Sequence, residues 1–411
     1  MTASLSHAGR HPRWILVLLG ALCVVTPFAI DMYLPAFSHI AREFHTETHS
    51  ISLSLSSYFI GFAIGQLFYG PLLDRFGRKR PLYFGLIVYV ACSIGCAKAP
   101  TLHAFVALRT LEALGGCAAQ VAAIAMVRDF FPVEQSARVF SLLFLMIGAS
   151  PLLAPTIGSA LMSGLGWRWI FVVLAAMAFV ILVVTFFLLP EGHQPDASVS
   201  LRLAPILGNF WTIFATPQFL VYTLAGAFSF AGLFTFVAGS PVVFMDGFHM
   251  GTKGFGITFA VLVMGFIGGN NLNVFLLKKF NSQQIFLAAL TAQAILGSAF
   301  LVGALAHLLD LRGMMVLFFL YLTCIGFTYP NGAAIALAPF SRDAGSASAM
   351  FGSVQTGIGA IISMSIGFLG AQAVIAIMAG TAVSALLMLL IGRRVVGETV
   401  VSEDGAVAIA H

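Results

Sequence analysis

Three ionisable side chains fall inside long apolar runs: Asp31, Arg109 and Glu112. Charges in such runs are costly and usually serve an ion or proton path. Asp31 closes the run that opens at Trp14, a helical rise of about 26 Å at 1.5 Å per residue. That sets it just inside the hydrocarbon, where it can carry a proton, or at the edge, where a carboxylate costs little. Arg109 lies about a third of the way along its own run, too deep to snorkel easily. Glu112 is three residues later and shares its helical face. It is either the arginine's local partner or a second proton carrier. The chemistry on offer is reversible protonation in a low-dielectric setting. Nothing in the sequence resembles a nucleophile–base pair or a phosphate-cradling loop, and the polar loops are too short for an ATP-binding domain. The 10 histidines fall largely in loops and tails without ligand spacing. Cys23, Cys92, Cys96, Cys117 and Cys324 all lie in apolar runs, so neither disulfides nor a metal site is expected.

A second constellation is polar and compact. G-P-L-L-D-R-F-G-R-K-R at 70–80 packs Asp74, Arg75, Arg78, Lys79 and Arg80 between two apolar runs. Gly70 and Gly77 allow close helix approach and a sharp turn, and Asp74 is placed to cap a neighbouring helix N-terminus. An ordinary basic loop would account for Arg78–Arg80 alone, but not for the ordered glycines and aspartate. Asp74 is expected to meet the start of the eleventh span near 343–345, and Arg78 or Arg75 to pair with Asp129. Further along, Pro151 and Pro155 are four apart and flanked by Gly148 and Gly158. Prolines remove ladder bonds and bend a helix, while small faces admit a neighbour. A passive kink and a functional contact between helices are both consistent with this pattern. A cavity is expected to draw on Tyr58, Gln66, Gln120, Phe230, Phe234, Asn270, Tyr329 and Asn331, the polar or aromatic positions within apolar helices.

The elements that must position these residues follow from composition. The 411-residue chain is 60% hydrophobic and 9% charged, with a mean hydropathy of +1.00. Soluble domains carry about 25% charged residues, so lipid solvates most of this one. Runs of about 20 apolar residues predict an all-α integral membrane protein of twelve spans. They lie near 14–34, 51–73, 82–97, 101–127, 138–162, 168–189, 217–240, 254–277, 284–306, 313–336, 345–368 and 371–392. The first run is too long for a signal core and lacks a small-residue exit. The layout is a six-helix half over 1–189, a linker over 190–216 with room for one interfacial helix, and a second half with its tail over 217–411. The repeat is visible only in hydropathy. Of 20 Lys and Arg, only Arg42, Lys98, Arg168, Lys253 and Arg312 fall in the loops opposite the tails, with Arg109 inside a span. That asymmetry predicts cytoplasmic termini. The net charge of +5 sits in inter-helix loops and is no sign of nucleic-acid binding.

The loop at 70–80 resembles the signature loop of the major facilitator superfamily. With D-M-Y-L-P-A-F at 31–37, L-R-T-L-E-A-L-G-G at 108–116, V-R-D at 127–129, A-S-P-L-L-A-P-T-I-G at 149–158, G-W-R-W-I-F at 166–171, A-P-F at 338–340 and A-G-S-A-S-A at 344–349, the chain is similar to the bicyclomycin- and chloramphenicol-resistance (Bcr/CflA) branch of drug:proton antiporters. The resemblance implies two six-helix bundles rocking about a midplane cavity in a bacterial cytoplasmic membrane. It implies proton-driven export of small hydrophobic compounds, with no cofactor beyond the proton gradient and no obligate protein partner. Proton coupling would fall to Asp31, Arg109 and Glu112. The conformational clamp would be Gly70, Asp74, Arg75, Gly77, Arg78 and Asp129, and the antiporter kink Gly148, Pro151, Pro155 and Gly158. A metabolite substrate, such as a purine nucleoside or an amino acid, is the alternative. A receptor or membrane enzyme is disfavoured, since neither a signalling segment nor a catalytic cluster is present. Two departures stand out. Glu112 occupies a position where the branch usually has glutamine, and Ala154 stands where glycine usually precedes the second proline.

Overall fold

The computed structural model describes residues 13–131, 133–191, 195, 203–340, 344–369 and 371–396. Among the described residues twelve helices are long and apolar enough to cross a membrane, and none of those residues forms a strand. The helices are α1 (Arg13–Asp31), α2 (Phe37–Glu43), α3 (Thr48–Phe76), α4 (Lys79–Ala97), α5 (Leu102–Phe130), α6 (Val133–Gly164), α7 (Arg168–Leu188), α8 (Leu203–Phe214), α9 (Pro217–Pro241), α10 (Thr252–Leu276), α11 (Ser282–Leu305), α12 (Leu311–Leu337), α13 (Ala344–Met364), α14 (Ile366–Leu369) and α15 (Ala371–Val396). Most membrane helices run a few residues past the apolar limits, because hydropathy marks the lipid-facing length and misses polar end turns. Such turns are capped: Thr101 Oγ1 accepts from the Ala104 amide, Asn281 and Gln284 form a capping box, and Asp310 accepts from the Gly313 amide. Four features were not evident from the apolar runs. After Asp31 the chain turns through a 3₁₀ segment, Leu34–Ala36, into α2. A π-helical turn, Val242–Gly247, extends α9, and the eleventh span breaks at Ser365. The interfacial helix allowed for in the linker is α8.

The packing repeats with a shift of six spans. In the first set α3 packs on α5, α4 on α5 and α7, and α1 on α5, α6 and α7. In the second, α10 packs on α12, α11 on α12 and α15, and α9 on α12, α13 and α15. Lipid-solvated helices gain little from the hydrophobic effect on meeting, so close backbone approach matters. Both sets achieve it the same way. Gly61 and Gly65 set α3 against Thr110 and Cys117 of α5, and Gly265 and Gly269 set α10 against Phe319 and Thr323 of α12.

The two sets meet along two symmetry-related seams, α3 with α13 and α14, and α6 with α10. Among the described residues, five side-chain hydrogen bonds cross between the two sets, three of them on these seams. Ser38 Oγ donates to Asp246 (3.1 Å), Ser52 Oγ to the Ala238 carbonyl (2.8 Å) and Ser159 Oγ to the Thr252 carbonyl (3.0 Å). Ser56 and Ser363 hydroxyls pair at 3.0 Å, and Ser353 Oγ donates to the Ala63 carbonyl (2.9 Å). These bonds run from the bundle end carrying residues 32–47 to about its middle.

Candidate functional site

Because α1 stops at Asp31, its last carbonyls lack intrahelical partners. The Met32 amide takes the Phe28 carbonyl, and Arg109 Nη2 takes that of Ala29 at 2.8 Å. A guanidinium at a helix C-terminus is also favoured by the dipole. Arg109 is fully buried, with its guanidinium carbon 4.3 Å from the Tyr58 ring centroid and 4.5 Å from that of Tyr33. Its Nη1 donates to Glu112 Oε2 at 2.6 Å, one helical turn on, and Ser93 Oγ donates to Glu112 Oε1 at 2.6 Å. Of the two roles open to Glu112, the geometry gives it that of the arginine's partner, with both oxygens engaged. Asp31 is 4% exposed and makes no ion pair or side-chain hydrogen bond among the described residues. The two buried acids are therefore unlike: Glu112 is held by two donors, and Asp31 has none among the described residues.

An aromatic layer covers the cluster on the side of residues 32–47. Phe105 packs edge-on to Phe171 and Trp167, with centroids 5.3 and 5.9 Å away. Trp167 Nε1 donates to Glu43 Oε2 at 2.5 Å, and Arg168 pairs with the other oxygen of that carboxylate. The G-W-R-W-I-F motif thus ties α7 to the end of α2 above Arg109.

At the signature loop, Gly77 has φ +81°, the left-handed region that favours glycine. The turn aims the first amides of α4 outward, and Glu191 receives them: Arg78 N–H donates to its Oε1 at 2.7 Å and Lys79 N–H at 3.3 Å. A linker carboxylate therefore caps this helix. Arg78 Nε donates to Asp129 Oδ2 at 2.8 Å and Nη1 to Asp74 Oδ1 at 2.7 Å. Burial opposes the Arg78 charge, but the bonds to Asp129 and Asp74 outweigh it and raise its pKa above the ordinary arginine value. All of these partners lie in the first six-span set or at its exit. They hold the loop in shape and do not by themselves join the halves. Arg75 lies near Phe76, nothing packs within 4 Å of a Cβ built on Gly70, and Asp343, at the expected meeting point with Asp74, lies outside the described residues.

The Pro151 and Pro155 helix, α6, is continuous. Its two glycines differ. A Cβ on Gly158 would strike the Met32 carbonyl just past α1, whereas one on Gly148 meets nothing within 4 Å. Pro155 and Ser159 face Gly256 of α10 across the second seam. The contact between halves therefore lies at the Pro155 end of the motif.

The cavity expectations divide. Phe230, Phe234 and Tyr329 come together: Phe230 lies 5.3 Å from Phe234 and 4.8 Å from Tyr329, centroid to centroid. Gln66 faces Gly352 of α13. Tyr58 and Asn331 have partners within their own bundles. Tyr58 is buried against Arg109, and Asn331 bonds Asn273 at 2.6 Å inside the second half, because each satisfies a polar group of its own bundle. Asn270 is exposed on α10, and Gln120 is half-buried on α5. Sequence reasoning missed Phe59, which meets Phe234 across the halves at 4.2 Å, together with Phe351, Gln355, Ser93 and Glu191. Gln355, a lone amide in an apolar span, could have been found by the criterion that selected Gln66.

The family model "Major Facilitator Superfamily" matches residues 17–364. The chain is 32% identical over 351 residues to the "Bicyclomycin resistance protein homolog" of Haemophilus influenzae, covering 84% of this chain and 87% of that protein. It is 28% identical over 386 residues to the "Multidrug resistance protein MdtL" of Vibrio parahaemolyticus, covering 91% and 95%. Among solved structures it superposes on a D-xylose-proton symporter with TM-score 0.71 at 15% identity, covering 91% of this chain and 96% of that one. A bacterial homologue of the human lysosomal transporter Spinster, solved inward-facing and unoccupied, gives TM-score 0.68 at 16% identity, covering 93% and 96%. The curated relatives fit the drug-resistance branch that the motifs resemble, and the solved structures share the fold. The chain belongs to the Major Facilitator Superfamily and is a membrane transporter.

Proposed function

We propose that this transporter exports small, mostly apolar compounds across the bacterial cytoplasmic membrane in exchange for protons, with both termini in the cytoplasm. Relatives named for bicyclomycin and multidrug resistance support the substrate class. The observation that carries the coupling is the contrast between Asp31, buried with no side-chain partner among the described residues, and Glu112, locked between Arg109 and Ser93. An unpaired carboxyl can exchange a proton with water whenever its exposure changes, while Glu112 must first break two short bonds.

The bias of Lys and Arg puts residues 32–47 outside. The five bonds between the two sets then close the outer face, and the state is inward-facing. Each such bond is worth about 0.5–1.5 kcal/mol net, and water replaces it on opening, so the outer seam can part without a large barrier. Phe59 and Phe234, in contact near the middle of the bundle, form the pivot. Outward opening would expose Asp31 to protons as substrate leaves, and the return would carry the proton inward. Exchange of a neutral compound for one proton moves net charge, so about 2.3 kcal/mol per 100 mV adds to the pH gradient.

Everted vesicles test this. With an imposed gradient, acid inside, they should accumulate chloramphenicol, and collapsing both pH and voltage should abolish the accumulation. Uptake indifferent to the gradient would contradict the exchange.

A further inference from the structure

The turn between α10 and α11 is the counterpart, six spans on, of the signature loop between α3 and α4. In the first loop the buried cation is neutralised from within, since Arg78 is bound by Asp74 and Asp129. The second carries Lys278 and Lys279, and neither forms an ion pair among the described residues. The turn that holds them is ordered. The Lys279 and Phe280 amides both donate to the Leu276 carbonyl at 2.9 Å, and the Asn281–Gln284 capping box starts α11 directly after. The helices that build this corner supply no carboxylate: α10, α11, α12 and α15 contain neither Asp nor Glu. α15, which packs on α11, closes instead with Arg393 and Arg394.

Above the two lysines runs an apolar track. Ile257, Val261, Met264, Leu272 and Phe275 are all exposed. With Gly268 they recur every three or four residues, which sets them on one face of α10. Phe266, on the other side of the helix, faces Phe230 of α9. Gly265 and Gly269 meet α12, and Gly256 meets α6. The exposed face therefore points away from the bundle and into lipid. Nothing lies within 4 Å of a Cβ built on Gly268, so the track is shallow at its middle. At its cytoplasmic end Lys278 Nζ stands 5.4 Å from the centroid of the Phe275 ring. Lys279, four residues after Phe275, continues the same face.

We infer that this corner binds an anionic phospholipid of the inner leaflet, with the headgroup phosphate on Lys278 and Lys279 and an acyl chain along the track from Phe275 to Gly268. The lipid supplies here the negative charge that Asp74 and Asp129 supply at the first loop. Charge and track together select the occupant. A free anion makes no use of the apolar face, and a zwitterionic headgroup brings a cation of its own toward two lysines. The bias of Lys and Arg puts this turn at the cytoplasmic surface, where anionic headgroups attract basic residues next to a span. The inference is independent of the export reading, because it concerns a lipid that stays in the membrane and no compound that is carried.

Native mass spectrometry of the full chain in detergent, titrated with phosphatidylglycerol or with phosphatidylethanolamine of the same acyl chains, gives the affinity of the first bound lipid. A lysine at an anionic surface is worth about fivefold, so phosphatidylglycerol should bind at least about tenfold tighter. Lys278→Gln with Lys279→Gln should bring that ratio to about one, and Lys278→Arg with Lys279→Arg should keep it. Phe275→Ala, which shortens the track and leaves the cations, should weaken both lipids together and leave their ratio unchanged. Lys79→Gln with Arg80→Gln removes the same charge from the first loop and should also leave the ratio unchanged. A wild-type ratio near one, or a ratio that survives the loss of both Lys278 and Lys279, would overturn the site. An equal loss in the Lys79 and Arg80 variant would overturn it too, by showing diffuse attraction to the whole basic face. Displacement of phosphatidylglycerol by inorganic phosphate would show that the lysines hold a free anion, and would overturn the lipid assignment.

Discussion

Removing the charge of Glu112 asks how far the Arg109 cluster depends on it. In Glu112→Gln the amide oxygen can still accept from Arg109, but the buried guanidinium loses its counter-charge. Breaking a buried pair by removing one partner costs about 3–5 kcal/mol. A retained hydrogen bond to a charged donor returns about 1.5–3 kcal/mol. The net loss should therefore be about 2 kcal/mol, with the α1 carbonyl and the Tyr33 and Tyr58 rings still holding the cation. Arg109→Leu alone, which strands Glu112 with only Ser93, should cost the full 3–5 kcal/mol or so. The double variant Arg109→Leu with Glu112→Gln, which leaves no buried charge, should recover most of that loss. Unfolding in mixed dodecylmaltoside and SDS micelles measures all four proteins. Additive single and double effects, with coupling below about 0.5 kcal/mol, would refute the pairing. There is a functional consequence as well. In Glu112→Gln, Asp31 becomes the free carboxylate nearest in sequence to the Ala29 carbonyl that anchors Arg109. Capture of Asp31 by the arginine should slow proton-driven export about tenfold, while a rate at wild-type level would show that the guanidinium stays in place.

Other outcomes follow from the same contacts. Single cysteines at Thr46 and Ser198, in a cysteine-free background, should label from outside and inside respectively with an impermeant reagent; labelling from one side would contradict the orientation. Glu191→Ala uncaps the start of α4 and should cost about 0.5–2 kcal/mol, seen as faster proteolysis within 192–202; an unchanged rate would contradict the cap. Gly158→Leu should drive α6 from the Met32 carbonyl and shift its neighbouring contact with α10, raising the accessibility of a cysteine at Thr252, whose carbonyl Ser159 holds; unchanged accessibility would contradict a close approach there.

The apolar runs made the spans legible because lipid imposes length and hydropathy on each helix separately, and the charge bias in short loops suggested an orientation. The Gly61–Gly65 and Gly265–Gly269 pairs were also present in the sequence, but their equivalence emerges only when each is seen against the partner helix six spans apart. Arg109 and Glu112, three residues apart on one helix, were readable as a pair. The Ala29 carbonyl was not, since it depends on where α1 stops. Glu191 was read only as linker because nothing local ties it to Gly77, more than a hundred residues earlier. Tyr58 was offered to a cavity because its polarity in an apolar helix was visible. Its neighbour, a buried guanidinium on α5, was not.

Efflux from proteoliposomes containing Asp31→Asn tests most directly whether Asp31 carries the proton. Chloramphenicol exchange down its own gradient should continue, because the packing of Phe230, Phe234 and Tyr329 is untouched, while acceleration by an imposed proton gradient should disappear. If the variant's efflux is still accelerated by the gradient, the proton is carried elsewhere and the assignment of Asp31 is wrong.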